Sequence, residues 1–119
     1  MLEKKLRIKK TDFNIIYKKG RSFGNDIFYI RYLPNRKDYS QFAIVISVKT
    51  EKSAVKRNWM RRVARSEIKR NLDKIPKGFY LVINLKKPLN SENKEAKLKI
   101  LLESLGKIRV SPYAIDNRR

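Results

Sequence analysis

Ser53–Leu72, SAVKRNWMRRVARSEIKRNL, is the stretch on which the fold turns. Ser53 suits an N-cap, because its hydroxyl can accept from an orphan amide of the first turn. Neither Gly nor Pro follows until Pro76, so the spacing predicts a helix of roughly five turns. Wound as a helix, Met60, Val63, Ala64 and Ile68 share one side. Asn58, Arg62, Arg65 and Lys69 share the opposite side, with Arg61 at its edge. A charged helix face is by default simply solvated. Here Glu67 is the one carboxylate set against the basic residues, and it sits on the apolar side. Like charges at i,i+3 and i,i+4 repel and weaken a helix unless an anion relieves them. A helix that packs by one face and lines up guanidinium groups on the other suits a phosphate backbone.

The whole chain supports a polyanionic partner. Its 119 residues carry 31 Lys and Arg against 11 Asp and Glu, a formal charge of +20. Self-repulsion on that scale destabilises an isolated compact protein and makes sense beside nucleic acid or an anionic membrane. The apolar side of the basic helix is too small for membrane insertion and serves better as core. Hydrophobic residues make up 41% of the chain and fall in periodic blocks, which argues against disorder. With no Cys and no His, zinc sites, thiol nucleophiles, Ser–His triads and imidazole acid–base chemistry drop out. The absence of a disulfide framework fits a reducing compartment. MLEKKLRIKK has no apolar core of signal-peptide length, so a cytoplasmic location is expected. The length fits one domain, residues 1–119, with a basic arm over 1–10 and a basic tail over 107–119, both expected to be mobile.

Working outward from the basic helix, Thr11 caps a short helix, DFNIIYKK, closed by Gly20 as a left-handed terminator. Phe13, Ile16 and Tyr17 lie at i, i+3 and i+4 on it. Core packing is one reading of that triplet; a platform of Phe13 and Tyr17 for unstacked bases is the other. Arg21–Gly24 reads as a turn and Ile27–Leu33 as a strand, with Phe28, Ile30 and Tyr32 on one side and Tyr29 and Arg31 on the other. Pro34–Ser40 reads as a polar hairpin connection. Gln41–Val48 is a nearly continuous apolar run, expected to be a strand covered on both sides or central in its sheet. Lys49–Lys52 leads into the basic helix, and Phe79–Leu85 is a further buried strand. Asn90 or Ser91 opens a last helix, which packs through Ala96, Ile100, Leu101 and Leu105 and ends at Gly106. Glu92 and Glu95 fall in its first turn, where the helix dipole favours carboxylates; capping accounts for them without catalysis. The element order is α-β-β-α-β-α, with room for one more short strand: an α/β (α+β two-layer) sandwich in which helices pack on a small mixed sheet. The strand–helix–strand segment has the form of a βαβ crossover, for which the general rule is right-handed.

Laid out this way, the sequence resembles the protein subunit of bacterial ribonuclease P. That family's signature is a strand, a lysine-bearing loop, then Ala-Val-x-Arg-Asn-Arg-x-x-Arg and another Arg three residues on. Here it reads Lys49, then Ala54-Val55-Lys56-Arg57-Asn58-Trp59-Met60-Arg61-Arg62 and Arg65. The family's Asp-Phe, later aromatic and Gly match Asp12-Phe13, Tyr17 and Gly20, and the pattern spans roughly residues 6 to 105. Two positions depart from it. Trp59 stands for the last Arg of the Arg-Asn-Arg core and is assigned no ionic role; it packs, or stacks on a sugar or base. Lys52 stands for the Gly before the helix, retaining charge in a loop whose backbone Gly would leave freer.

The resemblance implies a left-handed crossover, contrary to the general rule, and a role beside a catalytic RNA that hydrolyses the 5′ leader from precursor tRNA with bound Mg2+. It implies that Lys49, Lys52, Lys56, Arg57, Asn58, Arg61, Arg62, Arg65 and Lys69 face the RNA subunit. A cleft between the first helix and the sheet would take the single-stranded leader, through Phe13 and Tyr17 with Tyr29 and Arg31. No side chain is assigned a catalytic or metal-binding role; Mg2+ is expected on the RNA subunit and substrate. The expected partners are the catalytic RNA subunit and precursor tRNA, not a membrane or DNA. A non-catalytic RNA-binding protein of ribosomal type is the alternative. A DNA reader of the helix–turn–helix kind is disfavoured by strands on both sides of the basic helix.

Overall fold

The apolar strands are assembled by pairings that local pattern does not reveal. The computed structural model describes residues 4–108, and its elements are α1 (Phe13–Lys19), β1 (Arg21–Gly24), β2 (Phe28–Pro34), β3 (Gln41–Ile46), α2 (Ala54–Arg70), β4 (Phe79–Leu85) and α3 (Lys94–Gly106). The sheet order is β1-β2-β4-β3. β1 and β4 flank β2 antiparallel, and β3 runs parallel to β4. β3–α2–β4 is therefore a βαβ unit, as expected for parallel neighbours joined by a helix.

Alternation along the strands sends Phe28, Ile30, Phe42, Ile44, Ile46, Phe79, Leu81, Ile83 and Leu85 to one face. There they pack with Met60, Ala64 and Ile68 of α2 and Leu98, Leu101 and Leu105 of α3 in a single cluster. The reverse face carries Ser22, Tyr29, Arg31, Val82 and Asn84 in register. α1 lies over this side, where Ile16 and Val82 are fully buried outside the main cluster.

Several expectations are corrected. Arg21–Gly24 is a strand, not a turn, paired residue for residue with Tyr29–Tyr32. Pro34–Ser40 is no hairpin, because β4 lies between β2 and β3. The connection instead crosses the end of β4: Asn35 N donates to Gly78 O at 2.9 Å, and Ser40 Oγ donates to Pro76 O at 2.6 Å while accepting from Phe79 N at 3.1 Å. The inner strands are β2 and β4, not β3. β3 is an edge, and it ends at Ile46 because Ser47 O accepts from Thr50 N and Glu51 N, both at 3.1 Å, and turns the chain. That edge is covered by the segment read as a mobile arm. Leu6 is buried, Arg7 bridges Phe42, and Ile8 N donates to Phe42 O at 3.1 Å, which blunts an otherwise open strand edge.

Gly20 is not left-handed: its φ is −71° and its ψ 154°. Its small size matters through close approach, since a Cβ there would meet Ile16 O at 2.4 Å. α3 starts later than expected. Asn90 Oδ1 accepts from Glu92 N and Asn93 N, both at 2.9 Å, in a preceding turn. The packing face is then Leu98, Leu101 and Leu105, and Ala96 is exposed. Ile108, assigned to the tail, is buried in the core; residues 109–119 of that tail lie outside the described residues.

Candidate nucleic-acid interface

Helix α2 begins where Ser53 Oγ accepts from Lys56 N at 3.2 Å, the cap expected from sequence. Asn58, Arg62 and Lys69 are exposed, while Arg61 and Arg65 are half-buried along the flank. Arg61 Nη1 donates to Asn58 Oδ1 at 2.8 Å, aligning that guanidinium along the helix. Arg57 differs from its neighbours. It folds back to donate through Nη1 to Glu51 O at 2.8 Å and Lys52 O at 3.0 Å, fastening the Lys49–Lys52 loop to the helix start. Its first role is thus to hold Lys49 and Lys52, both exposed, beside exposed Lys56.

One cation on this surface escaped sequence reasoning. Arg7, carried by the edge-covering segment, lies close enough to α2 to act on Arg65. Partial burial lowers the Arg65 pKa, and the charges of Arg7 and Arg61 lower it further. The signal was the alternation Leu6-Arg7-Ile8, apolar–basic–apolar, inside a run dominated by lysine. Among the described residues Glu67–Arg70 is the only ion pair, so the Arg7/Arg61/Arg65 side of α2 is unneutralised. Three guanidinium groups in that state form a ready site for phosphate oxygens, which Arg can engage bidentately.

The second surface lies on the reverse face of the sheet. Phe13 and Tyr17 stack at a centroid distance of 6.2 Å and an interplanar angle of 22°, and Tyr17 is 48% exposed. Arg31 joins them to the strand. Its guanidinium carbon sits 5.3 Å from the Tyr17 ring centroid, Nη1 donates to Tyr17 O at 3.0 Å, and Nη2 donates to Tyr29 Oη at 3.4 Å. Arg31 Nε is buried without a partner. The Tyr29 phenol is held below its ordinary pKa, chiefly by its hydrogen bond with Ser22. Burial opposes that shift, while the charge and hydrogen bond of Arg31 add to it. Phe13, Tyr17, Tyr29 and Arg31 are thus brought together as the sequence suggested. Ser22 joins them unforeseen, because its strand had been read as a turn. Stacked aromatics beside a cation are the parts from which sequence-tolerant single-strand sites are made.

Comparison with known proteins places the chain in a family. The family profile described as Ribonuclease P matches residues 2–109. The chain belongs to the ribonuclease P protein family. It is similar to the ribonuclease P protein component of Thermotoga maritima, 39% identical over 88 residues that cover 74% of each chain. It is also similar to that of Clostridioides difficile, 40% identical over 75 residues, covering 62% of this chain and 65% of that one. Its structure is similar to the RNase P protein from Thermotoga maritima, with a TM-score of 0.74 and 30% identity over 87% of this chain and 98% of that one. The RNase P protein of Staphylococcus aureus superposes with a TM-score of 0.72 and 28% identity over 83% and 94%. As a ribonuclease P protein subunit, the chain takes part in tRNA processing within an endoribonuclease.

Among the described residues no group of three or more His, Cys, Asp and Glu converges to hold a metal. Among the described residues no helix is long and apolar enough to cross a membrane.

Proposed function

We propose that this chain binds a catalytic RNA subunit through α2 and its flanks, and the 5′ leader of precursor tRNA through the α1–sheet cleft. Chemistry then falls to the RNA, with magnesium held mainly there and on the substrate. The supporting observation is the division of the molecule by its own sheet. Arg7, Arg61, Arg62 and Arg65 gather with the α2 side, and Phe13, Tyr17, Tyr29 and Arg31 gather on the reverse face. Lys49, Lys52 and Lys56 extend the first surface, with Asn58 and Lys69 along the helix; Arg57 acts by fixing the loop. Folded RNA presents dense phosphate, which an unneutralised guanidinium row engages. A leader is single-stranded, and stacking on aromatics is worth about 1–3 kcal/mol per base with little sequence demand. The protein's work is to bind and orient the substrate, and its cationic surface lowers the magnesium concentration needed to hold it. Precursor tRNA processing in the cytoplasm is part of this proposal.

The test separates the two surfaces. Arg62→Ala/Arg65→Ala should weaken binding of the RNA subunit and flatten its salt dependence. Phe13→Ala/Tyr17→Ala should leave that binding intact and weaken only substrates that carry a leader. If both pairs lost RNA-subunit affinity alike and neither sensed the leader, a general RNA-binding protein of ribosomal type would be the better description.

A further inference from the structure

Trp59 replaces the arginine of the family signature, and its surroundings are built for something other than charge. It projects from the flank of α2 that faces α3, half-buried and packed partly against the core. Beside it opens a cleft of about 390 Å³ lined by Trp59, Lys56, Pro88, Leu89, Asn90 and Ser91, together with Glu51, which falls in the size range of small-molecule sites. Leu89 is buried and forms an apolar floor. Lys94 Nζ lies 6.0 Å from the Trp59 ring centroid, and Lys56 is exposed on the helix one turn before Trp59. The carboxylate at the rim is already engaged, since Glu51 Oε2 accepts from Ser53 N at 3.1 Å. The opposite wall is held in place as well: Lys97 Nζ donates to Pro88 O at 2.9 Å, and the Asn90 backbone N donates to Asn93 Oδ1 at 2.8 Å.

An aromatic plane, an apolar floor, two cations, and an amide and hydroxyl at the rim form a complete set for one unpaired nucleotide. The ring offers a stacking face, the Ser91 hydroxyl and the Asn90 Nδ2 (its Oδ1 being taken by Glu92 N and Asn93 N) offer partners to a base edge, and Lys56 and Lys94 can take the adjoining phosphates. We infer that this cleft receives an unstacked nucleobase of the RNA subunit. The occupant comes from the RNA subunit and not the leader, because the cleft continues the α2 surface while Tyr29 and Arg31 lie on the other face of the sheet. The inference rests on α2 facing RNA, as proposed above.

Trp59 is the only tryptophan in the chain, so its emission reports on this site without any substitution. The full chain would be titrated with a bacterial ribonuclease P RNA, following Trp59 fluorescence and, separately, complex formation by gel shift. The expected result is quenching that saturates with complex formation, with no further change when precursor tRNA is added. Trp59→Ala should weaken RNA-subunit binding roughly 5- to 150-fold, the span of one base stack, with an unchanged salt slope. Trp59→Phe should recover part of that loss. Unchanged emission together with undiminished binding by Trp59→Ala would overturn the base site and leave the proposed function standing. Quenching that appears only with a leader-bearing substrate would also overturn it, by assigning the base to the wrong RNA. A chain that binds no RNA subunit at all would remove both.

Discussion

Tyr17→Ala separates the leader cleft from the fold that carries it. Tyr17 is 48% exposed, so its removal creates no core cavity. What is lost is the stacked contact with Phe13 at 6.2 Å and the Arg31 guanidinium at 5.3 Å. An aromatic pair contributes about 0.5–1.5 kcal/mol and an exposed cation–π contact about 0.5–1 kcal/mol. Half exposure selects the lower end, so a stability loss of about 1 kcal/mol and a fall in Tm of about 4 °C are expected. The hydrogen bond from Arg31 goes to the Tyr17 backbone carbonyl and survives the substitution, so α1 keeps its seat on the sheet. Loss of one stacking partner should then weaken binding of a leader-bearing substrate by about 1–3 kcal/mol, roughly 5- to 150-fold. The assay compares dissociation constants of the reconstituted holoenzyme for precursor and mature tRNA. A selective loss for the precursor is expected. An equal loss for both, or none for either, refutes the cleft as a leader site.

Other perturbations read other parts of the molecule. Arg7→Ala should weaken RNA-subunit binding and reduce the log–log salt slope by about one, measured by binding across a salt series. Because Arg7 crowds Arg65, thermal melts at low salt should find the free protein no less stable without it. Tyr29 and Tyr80 should titrate on opposite sides of the ordinary tyrosine value, read by NMR of the phenol carbons. Burial raises Tyr80, with the charge and hydrogen bond of Asp12 adding to it, so its contribution is present below the unfolded pKa and lost as pH rises through the folded one. Tyr29 is lowered, so its contribution is present above the unfolded pKa and lost as pH falls through the folded one; Ser22→Ala should move it back up. Gly20→Ala should cost about 1–3 kcal/mol in denaturant unfolding, as overpacking does, because the new Cβ meets Ile16 O at 2.4 Å whatever the backbone angles.

Where a feature depends on one element and its own periodicity, the sequence is readable. The basic row of α2, its Ser53 cap, and the two-sided alternation of β2 were all legible because each is set within a few residues. That Phe13 and Tyr17 lie beside Tyr29 and Arg31 followed from the cleft the family resemblance implies, not from any local pattern. Pairings between distant segments were not legible. Nothing within Gln41–Ile46 distinguishes an apolar strand at the centre from one at an edge covered by another segment, and the buried Leu6 supplying that cover is hidden among lysines. β1 was missed because four residues beside Gly24-Asn25-Asp26 carry stronger turn signals than strand signals. On α3, Leu101 and Leu105 were read correctly as packing residues, whereas Leu98 was missed and Ala96 proved exposed.

The most direct test of the central claim is single-turnover cleavage of a precursor tRNA by a bacterial ribonuclease P RNA at low magnesium, with and without this chain. Strong stimulation with a correct 5′ end, increasing with leader length over the first few nucleotides, is the predicted result. Tight binding of the RNA with no stimulation, or stimulation indifferent to the leader, would contradict it.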